Sequence, residues 1–385
     1  MRPIRLACVE AFAFRVPVKS PIKVAFGTFR DRPFVLVRVV DEDGAVGWGE
    51  AWANWPAVGA EHRARLVVDI GERVVGQSFD SPPQLFQQLS RSLEVLVIQT
   101  GEVGPIAQAV AGIDIAVWDL VARKAGQPLY RMLGSGTESR PVDSVPVYAT
   151  GINPDEPEHF AAARQAEGHR AFKLKTGFGH ATDVRNLRAM RAALGPQATI
   201  TCDSNQTHDL QQAMAFVRAI EDLNLSWFEE PIRVDAPIAD WEALAKASTT
   251  PLAGGENFQG QQFDAAIGAG VLQVIQPDVT KCGRGRGVIS GNWQVARETV
   301  AAGKRYCPHY FGGGISLLAS LQLLAAAGGE GLLEFDCHPN VGREAVVGSL
   351  LPVTDGRVPV PQTPGLGAVP DLDALARYRT WAPRT

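Results

Sequence analysis

Eight short apolar segments, each ending near a polar residue, recur along residues 141–334 at a spacing that few folds can use. Successive ends lie 22 to 31 residues apart, which is the length of one strand, loop, helix and loop. Eight such units in succession predict a closed (β/α)8-type barrel, with a doubly wound sheet as the alternative. The segments end near Tyr148, Lys175, Asp203, Glu229, Glu256, Asp278, His309 and Glu334.

The chain is longer than one ordinary domain, and its two ends differ in pattern from the barrel segment. At 385 residues it accommodates a barrel and a second domain. The first third mixes strand-like alternation with helical patterns, and 41–44 has the composition of a hairpin turn. We therefore predict an α/β protein with an N-terminal α+β capping domain at 1–135, a barrel at 140–350 and a C-terminal segment at 351–385. Residues 356–360 of that segment are strand-like and are expected to return to the capping domain.

Composition excludes several classes of partner. The formal net charge is −4 and no Lys/Arg run is present, so neither nucleic acid nor an anionic membrane is an expected partner. The N-terminus lacks the apolar stretch of a signal peptide, and no later segment is predicted to cross a bilayer. The 5 cysteines are scattered without a C-x-x-C pair, which is typical of a reducing compartment, so we expect a cytoplasmic protein.

Two lysines share one face of the second predicted barrel strand. Side chains alternate along a strand, so Lys173 and Lys175 point one way while Phe172 and Leu174 point the other. Two buried ammonium groups on one face are tolerable only where anions converge on them or where a lowered lysine pKa is needed. An exposed strand edge is the alternative for an isolated Lys-x-Lys, but the acids that end the following strands argue against it.

Acidic residues end the next three predicted strands. Asp203, Glu229 and Glu256 would meet at the carboxyl edge of the barrel, where three carboxylates cannot all stay ionised without a cation between them. Carboxylate oxygens are the ligands that Mg²⁺ prefers. A single acid at such a position is more often a helix N-cap, whereas three at consecutive strand ends predict a metal site.

The last strand ends supply an aspartate, a histidine and a glutamate. A carboxylate beside an imidazole fixes its tautomer and raises its basicity, so Asp278 and His309 are a candidate general base, with a structural histidine as the alternative. At Glu334, a protonated or cation-paired carboxyl would hydrogen-bond a substrate oxygen. The glycines at 312–314 open the helix after His309, where they would permit either an anion or close packing. On the earlier helix at 106–125, two aspartates are predicted to be capping, ion-pairing or solvated residues; these are Asp114 and Asp119.

Aromatic residues are concentrated in two glycine-bearing or proline-bearing stretches of the first third, 21–30 and 51–56. Both stretches are predicted to be loops. They carry Phe26, Phe29, Trp52 and Trp55. Loops of this kind can close over an active site, with local packing as the alternative. If they form a lid, their apolar surface favours a less polar substrate.

The ordered set of strand-end motifs resembles the enolase superfamily, and in particular its mandelate racemase subgroup. The motifs are Lys-x-Lys, Asp-x-Asn, Glu-Glu-Pro, Gly-Glu-Asn, Pro-Asp, His and Glu, in that order along the chain. The helix at 113–120 and the segment at 128–134 are also similar to the region before the barrel in that superfamily. The resemblance covers essentially the whole chain. It implies a (β/α)7β TIM-like barrel with an N-terminal α+β capping domain that the C-terminal tail completes.

The resemblance also implies roles for individual residues. Mg²⁺ would be bound by Asp203, Glu229 and Glu256. The two bases, on opposite faces of the substrate, would be Lys175 and the His309–Asp278 pair. The substrate carboxylate would be contacted by Lys173, and the electrophilic carboxyl would be Glu334.

These roles define one shared step, the removal of the proton α to a carboxylate to give an enediolate. Ionising such a carbon acid turns a monoanion into a dianion, so Mg²⁺ and Lys173 must stabilise the new charge while Glu334 donates to the other oxygen. Lys175 is expected to have a lowered pKa because Lys173 and the cation lie beside it.

The step that follows is open to three interpretations. We predict dehydration of an acid sugar or related hydroxy acid, the commoner outcome that the resemblance implies when both bases are present. Racemisation or epimerisation of a 2-hydroxy acid is the alternative, and a non-catalytic binding protein on the same scaffold is the second. The partner would be a small-molecule carboxylate, and the resemblance implies a homo-oligomer. Candidates for substrate contact are Asn205, Tyr148, Trp52, Trp55 and Phe26.

Overall fold

A barrel of parallel strands is covered at its carboxyl edge by a smaller domain with an antiparallel sheet. The computed structural model describes residues 3–25, 27–137, 140–281 and 289–383. Phe26, one of the predicted substrate contacts, lies outside the described residues. The predicted fold class, a capped α/β barrel, is confirmed.

The capping sheet is dominated by one long hairpin. Strands β1 (Ile4–Val24) and β2 (Gly27–Asp41) pair along most of their length, and β3 (Val46–Ala51) pairs with β2 across the predicted turn at 41–44. The stretch at 21–30 was predicted as a loop, but its described residues continue the hairpin ladder as far as the pair of Val24 with Gly27. These residues are called the hairpin tip. A short strand, β4 (Ser78–Phe79), pairs with the start of β1.

Five helices complete the described part of the capping domain. They are α1 (Gly59–Gly71), α2 (Pro82–Ser92), α3 (Glu94–Thr100), α4 (Val103–Lys124) and α5 (Leu129–Gly134). Helix α4 is long and apolar enough to span a bilayer. However, 89% of its most apolar 18-residue stretch is buried inside the protein, so it is a core helix. It packs directly on β3, where a Cβ on Gly49 would lie 2.0 Å from the carbonyl oxygen of Gly112. Glycine is therefore required at this approach.

The two aspartates of α4 are buried and bonded to distant parts of the chain. Asp119 forms an ion pair with Arg123 at 2.7 Å and accepts a hydrogen bond from the N–H of Leu366 at 2.7 Å. Asp114 accepts hydrogen bonds from the N–H and hydroxyl of Ser290 at 3.0 and 2.7 Å. Neither aspartate lies on a solvated face, and both fix the capping domain to later segments.

Eight parallel strands form the barrel in chain order, with the last strand pairing with the first. They are β5 (Ser144–Ile152), β6 (Ala171–Lys175), β7 (Thr199–Asp203), β8 (Phe228–Glu229), β9 (Leu252–Gly254), β10 (Val274–Ile275), β11 (Arg305–Tyr306) and β12 (Leu333–Asp336). Between β11 and β12 the N–H of Leu332 donates to the Sγ of Cys307 at 3.3 Å, so these strands also lie side by side.

Seven helices surround the barrel, one after each strand from β5 to β11. They are α6 (Pro157–Ala166), α7 (His180–Leu194), α8 (Leu210–Ala219), α9 (Ile238–Ala247), α10 (Gln262–Gly268), α11 (Ile289–Ala301) and α12 (Gly314–Ala327). A 3₁₀ turn, Glu221–Leu223, follows α8, and the short α13 (Val341–Val347) comes directly after β12. The order matches the predicted (β/α)7β barrel.

The C-terminal segment contacts both domains. Strand β13 (Arg357–Pro359) pairs antiparallel with β5 of the barrel, so the strand predicted at 356–360 does not itself return to the capping domain. The return is made further on, after α14 (Leu372–Leu375) and a 3₁₀ turn at 376–378, by β14 (Arg379–Trp381), which pairs with β1.

Candidate active site

The polar strand-end residues stand next to one another because their strands are in register. On β6, Lys173 and Lys175 point into the barrel, while Phe172 and Leu174 are buried among helix residues on the outside. Lys175 is the register partner of Asp203 on β7, and Asp203 in turn is the partner of Glu229 on β8. This alternation places one lysine and two acids side by side at the carboxyl edge.

The three predicted metal ligands are held by nitrogen donors. Asp203 pairs with Lys175, and Glu229 accepts from Lys173 at 2.7 and 3.0 Å. The amide of Asn205 lies between two of the acids, with its Nδ2 3.2 Å from Asp203 and 3.4 Å from Glu256. Within the described parts of the chain, no three carboxylate, imidazole or thiol groups are gathered at metal-coordinating distance. Each of the three carboxylates is contacted by an ammonium group of the chain, and Glu256 by that of Lys281 at 2.7 Å.

The charge balance of this acid cluster fits a cation. Burial and then the charge of Asp203 raise the pKa of Glu229 to about 7, although Lys173 lowers it. Burial raises the pKa of the neighbouring Glu230 well above its usual range, with Glu256 adding to the effect. The buried lysines therefore do not neutralise all the acids. The donor set consists of carboxylate oxygens, which suits Mg²⁺.

The Asp–His pair is formed as predicted from the strand order. His309 Nδ1 lies 2.7 Å from Asp278 Oδ2, and the two residues form a parallel β-bridge. The other oxygen of Asp278 accepts from both the N–H and the hydroxyl of Thr280 at 2.7 Å. Burial lowers the pKa of His309, but the charges of Glu256 and Glu334 and the bond to Asp278 outweigh it and raise the pKa to about 9. The carboxylate thus orients the ring and increases its basicity.

The lowered pKa expected for Lys175 is not found. Burial and the charge of Lys173 both lower it, but Asp203 and the other carboxylates outweigh them, so the pKa of Lys175 is raised. The expectation assumed a cation beside the lysine, whereas here the ammonium group itself compensates Asp203. Lys175 keeps 15% of its side chain exposed to the cavity.

Lys173 and Glu334 form an ion pair at 2.9 Å, which corresponds to the cation-paired alternative predicted for Glu334. Lys173 has no exposed surface, and its ammonium group also contacts Glu229. Burial raises the pKa of Glu334, but Lys173 and His309 outweigh it and lower the pKa to about 2. An ionised carboxylate cannot donate a hydrogen bond, and Glu334 instead accepts one from the N–H of Tyr310 at 3.1 Å.

The strand ends open into a cavity of about 470 Å³ that the capping domain closes. Its barrel side includes Lys175, His309, Glu256 and Glu334. Its capping side is mostly apolar: Ile22, Val24, Phe29, Trp52 and Trp55 line it, together with the polar Lys23 and Asn54. Phe29 packs against Trp55 with ring centroids 4.6 Å apart. The hairpin tip and the segment after β3 therefore both cover the site.

Among the predicted substrate contacts, Asn205, Trp52 and Trp55 line the cavity, whereas Tyr148 does not. Tyr148 lies in the middle of β5 and is fully buried, with its ring 5.4 Å below the Nζ of Lys173. The expected strand end was misplaced, because β5 continues to Ile152. The residues of β5 that line the cavity are Thr150 and Gly151.

Lys281 was not identified from the sequence, although it lines the cavity. Its Nζ lies 2.7 Å from Glu256 Oε2, the oxygen that is also 3.2 Å from His309 Nε2, and 5.3 Å from the ring of Trp52. It follows Asp278 by three residues, beyond the end of the strand. The sequence feature that could have indicated Lys281 is its position in the turn after a predicted strand that ends in an acid.

The capped (β/α)7β barrel and the order of its strand-end residues are those of the enolase superfamily. The model of the mandelate racemase/muconate lactonizing enzyme N-terminal domain matches residues 8–134, and that of the enolase C-terminal domain-like family matches residues 157–374. The chain belongs to the mandelate racemase/muconate lactonizing enzyme family.

Individual relatives differ in their reactions. D-galactarolactone cycloisomerase of Agrobacterium fabrum is 30% identical, covering 98% of this chain and 99% of the relative. A solved mandelate racemase/muconate lactonizing enzyme of Bordetella bronchiseptica RB50 is 47% identical, with a TM-score of 0.89 and coverage of 98% and 99%. L-talarate/galactarate dehydratase of Salmonella typhimurium LT2, solved with Mg and L-lyxarohydroxamate, is 25% identical, with a TM-score of 0.84 and coverage of 99% and 94%. Relatives of this chain thus include dehydratases, cycloisomerases and racemases.

Proposed function

We propose that this chain is a Mg²⁺-dependent enzyme that removes the proton α to a carboxylate, and that its reaction is the dehydration of an acid sugar or related hydroxy acid. The observation that carries the proposal is that Lys175 and His309 both line one cavity, on either side of the acid cluster, and that Asp278 is bonded to His309 from behind. A protein that only binds a carboxylate has no need of two such groups.

Asp203, Glu229 and Glu256 would hold the Mg²⁺ ion. When bound, the ion supplies positive charge that stabilises the second negative charge of the enediolate. The same positive charge would take the place of Lys175 as the partner of Asp203, which allows the lysine to become neutral.

The chain's own residues then carry the protons. Neutral Lys175 accepts the α-proton, and the electron pair of the C–H bond moves into the enediolate. As the electrons return, the bond from the β-carbon to its hydroxyl breaks, and His309 Nε2 gives a proton to the departing oxygen, which leaves as water. The enol that remains tautomerises to a 2-keto-3-deoxy acid. Asp278 keeps Nδ1 of His309 protonated throughout.

Racemisation of a 2-hydroxy acid is a second candidate, and the apolar capping side of the cavity favours it. Phe29, Trp52 and Trp55, together with Phe311 from the barrel, form an aromatic wall that suits a less hydroxylated substrate. In that reaction His309 would return the proton to the α-carbon from the face opposite Lys175. The first step is the same for both candidates.

The test is a screen of acid sugars and 2-hydroxy acids with Mg²⁺. Dehydration would appear as a 2-keto-3-deoxy acid trapped as its semicarbazone, and racemisation as loss of optical rotation. Activity should disappear in Lys175→Ala and in His309→Asn, and it should persist in Lys246→Met, which changes an exposed lysine on α9. Saturable binding without turnover or exchange of the α-proton for any compound would support a binding protein instead.

A further inference from the structure

The glycine-rich start of α12 is occupied by a carboxylate from the capping domain. Glu50 directly precedes Ala51, the last residue of β3. Its side chain is 2% exposed and reaches the N-terminus of α12. It accepts hydrogen bonds from the N–H of Gly313 at 2.5 Å, the N–H of Ser316 at 3.0 Å and the hydroxyl of Ser316 at 3.1 Å. Negative charge at a helix N-terminus is favourable because the first N–H groups have no partners within the helix.

Two of the glycines at 312–314 are explained by this carboxylate. A Cβ on Gly312 would lie 2.6 Å from Oε1 of Glu50, and a Cβ on Gly313 would lie 2.9 Å from Oε2. Any side chain there would displace Glu50. Of the two alternatives left open by the sequence, an anion or close packing, the structure shows an anion that the chain supplies itself, and Gly314 packs against Val346.

The residues after Glu50 contact both turns that carry the Asp–His pair. The N–H of Trp52 donates to the carbonyl oxygen of Thr280 at 3.3 Å, in the turn that holds Asp278. The side-chain amide of Asn54 donates to the carbonyl oxygen of Phe311 at 2.8 Å, two residues after His309. Residues 50–54 thus contact both turns from the side of the capping domain.

We propose that Glu50 is a positioning residue, which sets the distance and angle between His309 and Asp278 by fixing the segment that follows His309. The residues between His309 and α12 are held at one end by the bridge to Asp278 and at the other by Glu50. Without the carboxylate, the N–H groups of Gly313 and Ser316 would be buried without a partner, and the start of α12 would shift or open to water. The inference deepens the proposed function, because it rests on the Asp–His pair acting as a base.

The pKa of Glu50 is consistent with a position close to Asp278. Burial, with a smaller contribution from the charge of Asp278, raises the pKa of Glu50 to about 7, although the hydrogen bonds from Gly313 and Ser316 lower it. Asp278 is thus near enough for its charge to act on Glu50.

Asp114 offers a matched control. It is also a buried carboxylate of the capping domain at the N-terminus of a barrel helix, α11, where it accepts two hydrogen bonds from Ser290. Burial raises its pKa to about 7 as well. The described part of helix α11 begins at Ile289, eleven residues after Asp278 and twenty before His309. A change at Asp114 therefore tests loss of domain docking without a direct effect on the segment after His309.

The decisive experiment is NMR of the full chain labelled with ¹⁵N-histidine, without substrate or added Mg²⁺. The Nδ1–H of His309, bonded to Asp278, should give a slowly exchanging downfield proton that is absent from His309→Asn. In Glu50→Gln, whose amide places a donor toward the N–H groups of α12, this proton should exchange with water about tenfold faster. Asp114→Asn should leave the rate unchanged within about twofold. Glu50→Asp, which keeps the carboxylate, should recover part of the protection.

An unchanged exchange rate in Glu50→Gln, or an equal increase in Asp114→Asn, would overturn the proposal. If Glu50→Gln does not fold, Ser316→Ala removes one donor to the intact carboxylate and should increase the rate by a smaller factor. Because this measurement needs no substrate, its result stands whether or not the proposed dehydration is correct. Once a substrate is known, Glu50→Gln should slow the exchange of its α-proton on the His309 face more than on the Lys175 face.

Discussion

At the carboxyl edge of the barrel, three charged residues on neighbouring strands are register partners of one another and form a row. Lys175, Asp203 and Glu229 lie at one level on three neighbouring strands, so one ammonium group stands beside two adjacent carboxylates at the carboxyl edge. The lysine neutralises the row only in part, since the pKa of Glu229 is still raised to about 7 by burial and by Asp203. A divalent cation would complete the compensation and release Lys175 from Asp203. The row thus links metal binding to the availability of the base.

Removing one acid of the cluster should therefore remove the response to Mg²⁺ while leaving the fold intact. At a hundredfold excess over its Kd, Mg²⁺ should stabilise the unmodified chain by about 3 kcal/mol. Asp203→Asn, Glu229→Gln and Glu256→Gln should lose that stabilisation and all activity. In EDTA, Glu229→Gln should be less stable than the unmodified chain, because the neutral amide is a weaker partner for the buried ammonium group of Lys173. Thermal unfolding with Mg²⁺ and with EDTA measures both effects. Full activity in excess chelator, with no metal by elemental analysis, would contradict the assignment.

The two bases should be separable by stereochemistry. Lys175 on β6 and His309 after β11 approach the cavity from different sides, so they should reach opposite faces of one α-carbon. Lys175→Ala should block α-proton exchange in D₂O for one configuration of the substrate, and His309→Asn for the other. Asp278→Asn should resemble His309→Asn in milder form, because the imidazole remains while its orientation and basicity change. Equal loss for both configurations in each single variant, with metal and substrate still bound, would rule out two independent bases.

The charged residues at strand ends could be identified from the sequence, whereas Lys281, in a turn, could not. The acids and the lysine pair recur with the period of the barrel, which separates them from solvated charges. Lys281 lies beyond a strand end, where a lysine is ordinarily exposed, and only its distance to Glu256 shows its place in the site. The ionised state of Glu334 depends on Lys173, a contact between strands that sequence spacing does not contain. Tyr148 was misplaced because β5 is longer than its apolar pattern indicated.

Two elements of the capping domain form the outer wall of the cavity, the tip of the β1–β2 hairpin and the segment after β3. The tip was predicted as a loop because proline and glycine interrupt its alternation, yet the cross-strand ladder continues to the turn. The pair formed by Phe29 and Trp55 joins the two elements, and Trp52 packs below Lys281. The wall is thus a packed aromatic surface whose shape, rather than its hydrogen bonds, would discriminate between substrates.

Truncating this wall should change the choice of substrate more than the metal affinity. Trp52→Ala or Trp55→Ala enlarges the cavity on its apolar side, so relative kcat/KM values across several carboxylates should change by about tenfold. The Kd for Mg²⁺ should stay within about twofold of its original value, because neither ring bonds to an acid of the cluster. Trp293→Phe, on the outer helix α11, is the control and should alter neither quantity. Unchanged relative kcat/KM values in both alanine variants would mean that these rings only pack locally.

At the scale of the whole molecule, buried carboxylates hold the capping domain on the barrel. Glu50 and Asp114 each reach the N-terminus of a barrel helix, and Arg32 of β2 forms a buried ion pair with Asp336 of β12 at 2.7 Å. The sequence could indicate two domains, but not these attachments, because each joins residues more than 170 positions apart. Burial disfavours the charged forms of Glu50 and Asp114, so the attachment of the two domains depends on pH.

Stability without metal should therefore fall as the pH rises toward neutrality. Burial raises the pKa of Glu50 from 4.5, and that of Asp114 from 3.8, to about 7 in the folded chain. Between those limits the folded chain binds more protons than the unfolded chain, so stability is lost as the pH rises and is constant above about pH 7, with a loss of roughly 3 to 4 kcal/mol per group. Urea unfolding in EDTA at about pH 5 and about pH 7.5 should show a smaller fall for Glu50→Gln and for Asp114→Asn, since neither amide ionises. Glu242→Gln, at an exposed position on α9, should behave like the unmodified chain. An equal fall in all four proteins would mean that these two carboxylates stay ionised in the folded state.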